Sequence, residues 1–258
     1  MVVGVVILIA FVALGGNKTT PPPPAPLRQA MPQTITDAVQ TGWNPTLAEK
    51  VGFPSSVTAP TLTPAGTAAL VAPGSTLPTV AFVGAEFCPY CAGERWALVM
   101  ALGQFGKFGQ LNQTTSSSSD VYPSTVTFSF YPSASYTSTL INFATSEVQN
   151  NLRANLQTPP SWMAALWQKY DNPQGYPFLD IGNQVLVTTP SYLPTSLSGL
   201  TADEIQATLG NSSLPSAQAI VGTATYVIAG ICSIDGEQPS AVCSSAPVTQ
   251  AKTKIGIK

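Results

Sequence analysis

Residues 79–87 (TVAFVGAEF) form a largely apolar run rich in β-branched side chains, the pattern of a strand buried on both faces in the middle of a sheet. The period then changes. Across residues 92–104 the spacing of Trp96, Val99, Met100 and Gly103, continuing to Lys107, predicts a helix closed by Gly106 and Gly109. Trp96 and Met100 are expected in the core, and Glu94 and Arg95 on a solvated face, with the alternative that Arg95 aids a nearby thiolate and Glu94 opposes it. After a polar loop at 113–123, clean alternation over residues 125–131 (TVTFSFY) predicts a second strand. Residues 139–148 fit either strand or helix, with Leu140, Ile141 and Phe143 favouring a strand in the first half.

Pro159 and Pro160 open a helix through Trp162, Leu166 and Tyr170, because proline is tolerated in a first helical turn. Gly175-Tyr176-Pro177 then leads into a hairpin of residues 178–181 and 185–187 around Gly182-Asn183. Thr201 and Glu204 carry the capping pattern of a helix ending at Leu209. A longer helix at 216–231, with Ile220, Ala224, Val227, Ile228 and Ile231, is expected to pack as a final layer.

The N-terminal part reads differently. Residues 2–16 (VVGVVILIAFVALGG) are apolar without interruption. The run is shorter than the roughly 20 residues that span a bilayer, and it lacks the basic start of a signal peptide. With no A-x-A-like cleavage site before the prolines, it is expected to be an uncleaved membrane anchor, with a removed signal as the alternative. Pro21 to Pro24 favour an extended spacer. The expected organisation is an anchor or signal-like segment at 1–16, a Pro-rich linker at 17–34, an irregular lead-in at 35–78, one domain at 79–248 and a tail at 249–258. Within the lead-in, a short helix is expected at 46–51, and Trp43 should pack onto the body of the protein.

Charged residues make up only 9% of the 258 residues, against about 25% in ordinary soluble domains, so the surface must be built from neutral polar side chains. A net charge of −2 gives no electrostatic case for binding nucleic acid. The chain has no histidine and few carboxylates, which suits a strongly acidic exterior where such groups would change charge. Sequons at Asn17, Asn112 and Asn211 lie in polar stretches expected to be exposed, and with four cysteines they favour an oxidising, extracytoplasmic compartment.

The candidate chemistry lies between the first strand and its helix, in Cys88-Pro89-Tyr90-Cys91. Two cysteines at this spacing on a first helical turn can close and reopen a small disulfide ring. The unpaired N–H groups and positive dipole end of the helix stabilise a thiolate. Cys88 is therefore expected to be the nucleophile and Cys91 the resolving thiol. Zinc fits poorly: Cys232 and Cys243 are too far apart in sequence for a second paired ligand set, and no histidine is available. No metal and no cofactor is expected.

Pro177, opening the strand that would face the thiols, is expected in cis, presenting the backbone of Tyr176 to substrate. Pro89, Tyr90 and Tyr176 complete the expected substrate-binding surface. Gly236 and Pro239 allow a turn that brings Cys232 and Cys243 together as a structural disulfide, in preference to a second redox pair.

The stretch FVGAEFCPYCAGERWALVMALGQFGKFGQL, with TVTFSF, YPFLDIGNQVLV and ICSIDGEQPSAVC after it, resembles an uncharacterised prokaryotic family, common in archaea, of membrane-anchored thioredoxin-like proteins, domain of unknown function 929. The similarity spans about residues 80–243. It implies an α/β, thioredoxin-like three-layer sandwich with a helical insertion, Cys88 and Cys91 at the redox position and Pro177 at the cis-proline position, but no substrate. Phe87 stands where thioredoxins usually carry Trp.

The expected protein is a thiol–disulfide oxidoreductase, anchored to the membrane by its N-terminal segment and exposed at the cell surface. Its partners would be exported cysteine-containing proteins and a membrane redox partner. The rival readings are a redox-silent surface module with permanent disulfides, and a tethered relay passing electrons between Cys232–Cys243 and Cys88–Cys91.

Overall fold

A computed structural model describes residues 28–258; the anchor expected at 2–16, most of the linker and the sequon at Asn17 lie outside the described residues. In chain order the elements are β1 (Gln29–Ala30), α1 (Gln33–Gln40), α2 (Pro45–Val51), β2 (Thr61–Leu62), β3 (Thr79–Gly84), α3 (Pro89–Leu102), β4 (Lys107–Phe108), β5 (Asn112–Thr115) and β6 (Val126–Ser129). They continue with β7 (Tyr136–Thr137), β8 (Asn142–Glu147), α4 (Ser161–Tyr170), β9 (Phe178–Ile181), β10 (Val185–Val187), a 3-10 turn (Pro194–Leu197), α5 (Ala202–Thr208), α6 (Pro215–Cys232), α7 (Ser240–Cys243) and α8 (Ala246–Ile255).

The fold is mixed α/β. Its main sheet has five strands in the order β2-β10-β9-β3-β8. β3 is central because all its residues are buried: Val80 and Phe82 point into the core with α3 and α6, while Ala81 and Val83 meet Met163 and Trp167 of α4 on the other face. β8 runs parallel to β3 and β9 antiparallel. Pairing of Val83 with Phe178 carries Pro177 to the end of β3 from which the chain enters α3. Helices thus cover both faces of the sheet. α6 is long and apolar enough to cross a membrane, yet it is buried inside the body of the protein against α3 and α8.

Several expectations hold. The hairpin β9–β10 turns at Gly182 and Asn183, both with positive φ. Thr201 and Glu204 form a reciprocal capping box on α5. Trp43 is buried and its indole N–H donates to Thr225 at 3.0 Å. Cys232 and Cys243 are joined in a disulfide.

Other expectations need correction. The lead-in contains a full helix, α1, whose Ile35 and Val39 are buried; the prolines and polar residues around it masked its short apolar stripe. Residues 29–30, assigned to the linker, form β1 against β5, and β5 itself falls in the supposed polar loop. Its partners there are backbone groups, which carry no side-chain pattern. The strand expected in the first half of 139–148 includes Phe143 but not Leu140 or Ile141: its pairing with β3 begins at Asn142 and carries it through the second half to Glu147. The motif helix begins at Pro89 and stops at Leu102, short of Gln104, because residues 103–105 take tight turns before β4. Residues 249–258 are no tail: α8 buries Val248, Ala251 and Ile255. Asn112 is only half exposed, and its side-chain amide donates to the Tyr131 carbonyl at 2.9 Å.

Gly103 marks where α1 and α3 cross. A Cβ there would stand 2.0 Å from the Gln40 carbonyl oxygen, a backbone atom that cannot step aside. Gly103→Ala is therefore expected to destabilise the fold by about 3 kcal/mol, read as a lower urea midpoint. A midpoint unchanged from wild type would show that α1 is not docked here.

Buried carboxyls set a pH dependence. Burial pushes Glu94 up to about 7 and Asp180 and Asp235 up to about 6. Each folded-state value lies above the unfolded one, so the folded chain binds more protons between about pH 4 and 7 and its stability falls as pH rises through that window. Glu94 alone contributes a loss of about 3 kcal/mol by pH 7.5, at about 1.4 kcal/mol per pH unit. Urea midpoints should be higher at about pH 5 than at about pH 7.5, and Glu94→Gln should flatten the slope. A profile that rises over the same window would contradict this assignment.

Candidate active site

β3 and α3 are joined by only four residues, 85–88, so the first turn of α3 opens directly above the sheet. Cys88 is the N-cap residue, in extended conformation, and its sulfur accepts the Cys91 backbone N–H at 3.3 Å. Pro89 sits at the first helical position, where its missing N–H leaves no bond unmade. Both cysteines are free thiols, Cys88 with 5% of its surface exposed and Cys91 with none.

The two thiols are driven apart. Cys88 is lowered from the ordinary thiol value by the Cys91 thiol donating to its sulfur, against the cost of its burial, with further help from the Cys91 backbone N–H, the Arg95 charge and the Tyr90 N–H. Cys91 is raised well above the ordinary value by burial and by its bond to Cys88. One sulfur is thus prepared as a nucleophile and the other as the holder of a proton.

The Tyr176–Pro177 peptide is cis and Pro177 is buried. Tyr176 packs edge-on to Phe87 with ring centroids 6.0 Å apart, and burial together with the nearby Cys91 and Cys88 charges raises its phenol. Tyr90 is half-exposed and edge-on to Tyr122 at 5.7 Å. The fold thus brings together Cys88, Pro89, Tyr90, Cys91, Tyr176 and Pro177. Cys232 and Cys243 stand apart: Ile234 packs on Gly182, at the opposite end of β9 from Pro177.

Arg95 and Glu94 are not solvated. Both are buried, because the segment WALVMAL leaves α3 no polar face and the helix is enclosed on all sides. Arg95, one turn beyond Cys91, makes a two-pronged bond to Glu147 at the end of β8, Nε to Oε1 at 2.7 Å and Nη2 to Oε2 at 2.6 Å. Burial alone would lower the Arg95 pKa, but the Glu147 carboxylate raises it, so the cation is secure. Nearby, Glu86 accepts Ser129 Oγ at 2.5 Å and Arg28 Nη1 at 2.9 Å. Glu147, Glu86 and Arg28 were missed in the sequence, whereas Arg95 was weighed as an aid to the thiolate but placed on a solvated face. The available signal was a charge next to an unbroken apolar heptad in a chain with only ten Lys and Arg residues.

A family model described as Domain of unknown function (DUF929) matches residues 71–233, and the chain belongs to that family. No curated protein and no solved structure matches it.

The buried pair gives a direct test of the thiol electrostatics. Glu147→Gln removes the carboxylate bonded to Arg95, leaving only the more weakly acting Glu86, and should lower the Cys88 pKa further while destabilising the fold by about 3–5 kcal/mol. Replacing both partners, Arg95→Met with Glu147→Met, should restore most of the stability and raise the Cys88 pKa above wild type. Thiolate ultraviolet absorbance against pH reads the first effect and urea midpoints the second. A Cys88 titration identical in all three proteins would remove Arg95 from the site.

Proposed function

We propose that this member of the Domain of unknown function (DUF929) family is a membrane-anchored, extracytoplasmic thiol–disulfide oxidoreductase of thioredoxin-like fold, acting on exported cysteine-containing proteins. The observation that carries the reading is the asymmetric pair: Cys88 at the N-terminus of α3 with its pKa lowered, over a buried Cys91 with its pKa raised, beside a cis Pro177. A thioredoxin-like fold is supported by the central β3 leading into the motif helix, its parallel neighbour β8 and the antiparallel hairpin that follows the cis proline. The extracytoplasmic placement rests on the apolar run at 2–16 and on the Cys232–Cys243 disulfide, which an oxidising compartment preserves.

In the dithiol state the Cys88 thiolate attacks one sulfur of a substrate disulfide, forming a Cys88–substrate bond as the substrate S–S bond breaks and its other sulfur leaves as thiolate. That thiolate accepts the Cys91 proton. Cys91 then attacks the Cys88 sulfur, closing the Cys88–Cys91 disulfide and releasing the second substrate thiolate. Two electrons have passed from protein to substrate. Run in reverse, the same steps oxidise a substrate dithiol, and a disulfide-bearing membrane partner restores the protein pair. The buried Cys232–Cys243 bridge, at the far end of β9, favours a structural staple over an electron relay. The lowered Cys88 pKa, set by its place at the entrance of α3, favours a reactive thiol over a redox-silent module with permanent disulfides.

Equilibration of the Cys88–Cys91 pair with glutathione tests the proposal. A potential of about −120 to −180 mV would identify an oxidant or isomerase and one of about −270 mV a reductant. A pair that stays oxidised below about −300 mV would overturn the activity. Cys91→Ser is expected to accumulate mixed disulfides with exported proteins, and Cys88→Ser to form none.

A further inference from the structure

Two loops meet beside Cys88, and each holds an apolar side chain out in water. Val121 is 72% exposed and Leu152 65%, the two highest values among the described large apolar residues. Neither loop is loose. Ser117 N–H donates to the Phe87 carbonyl at 2.9 Å, and Ser116 Oγ ties Thr125 N–H to the Tyr122 carbonyl. In the second loop Asn150 Oδ1 accepts both Leu152 N–H and Ala154 N–H at 2.9 Å. Arg153 is held there at φ +63°, a left-handed conformation that a long side chain rarely adopts.

That conformation lays the Arg153 guanidinium over the Phe87 ring, 3.9 Å from its centroid, and pairs it with Asp120 at 2.8 Å. The chain of contacts locates both apolar residues. Leu152 precedes the arginine that covers Phe87, and Phe87 precedes Cys88. Val121 lies between Asp120 and Tyr122, which packs on Tyr90 of the thiol turn. Two exposed apolar side chains, each on a loop held by hydrogen bonds beside the thiol turn, are placed to contact a polypeptide bound at Cys88.

We propose that Val121 and Leu152 form a docking rim for a cysteine-bearing polypeptide segment whose flanking side chains are apolar and uncharged. This rests on the thiol–disulfide reading and specifies its substrate class. The charges on the rim argue for such an occupant: Asp120 and Arg153 neutralise each other, so among the described rim residues no unpaired cation is offered to the carboxylates of a small charged thiol such as glutathione. The rings of Tyr90 and Tyr122, packed edge-on at 5.7 Å, extend the same apolar character toward the thiol turn.

The oxidised full chain is mixed with 2-mercaptoethanol, with a blocked peptide carrying leucine on both sides of its cysteine, and with the same peptide carrying serine instead. The leucine peptide is expected to react about tenfold faster than the serine peptide, the effect of burying two small apolar contacts. The double variant Val121→Ser, Leu152→Ser should abolish that preference and leave the 2-mercaptoethanol rate unchanged. Equal rates for the two wild-type reactions with peptide, or a variant slowed alike with all three thiols, would overturn the docking rim. Absence of exchange with 2-mercaptoethanol would instead overturn the thiol–disulfide reading beneath it.

Discussion

Helix α3 is enclosed on every side, and much of the structure follows from that burial. A helix with no solvated face cannot carry a charge unless another element answers it, and Arg95 is answered by Glu147 from the last position of β8. That bond ties the helix to the strand parallel to β3, so the geometry that orders the sheet also fixes the thiol turn. The same enclosure leaves Cys91 dry and its proton hard to remove, while Cys88, at the helix entrance, remains at the edge of the protein. The difference between the two sulfurs is thus a consequence of depth along one helix.

Burial also explains why so few charges are present and where they lie. With the surface made of hydroxyls and amides, several of the chain's carboxylates are inside: Glu86, Glu94, Glu147 and Asp180 are all buried. Glu86 and Glu147 are paired with arginines, whereas Glu94 faces Ser191 and Tyr192 and is held toward its neutral form. Interior carboxyls that prefer to be protonated make mild acid a favourable condition for the fold. The effect on stability lies in specific buried groups rather than in the composition of the surface.

The thiol turn itself was legible because its determinants are local. A buried strand, a C-x-x-C at its end, an apolar helix after it and a proline opening a later hairpin are all patterns of neighbours in sequence, and the backbone rules they follow act over a few residues. The cis bond before Pro177 and the Cys232–Cys243 bridge depended on somewhat longer reasoning, from order of elements and turn residues. Arg95 was misplaced for an instructive reason. A helical period places a side chain on a face, but whether water or protein covers that face depends on how many other elements pack there.

The sequence by itself determined the mixed α/β order of elements, the candidate nucleophile and its resolving partner, and the helix caps, since each is set by short-range sterics, period and hydrogen-bond chemistry. Tertiary structure alone decided the pairing of residues far apart in the chain. Arg28 reaches Glu86, Arg95 reaches Glu147, and Arg153 crosses to Phe87 and Asp120. It also decided that α1, a short amphipathic segment among prolines, and α8, weakly patterned by itself, become helices packed on the core. The physical reason is the same in each case: a weak local preference or a lone charge acquires its energy only from the partner that the rest of the fold delivers.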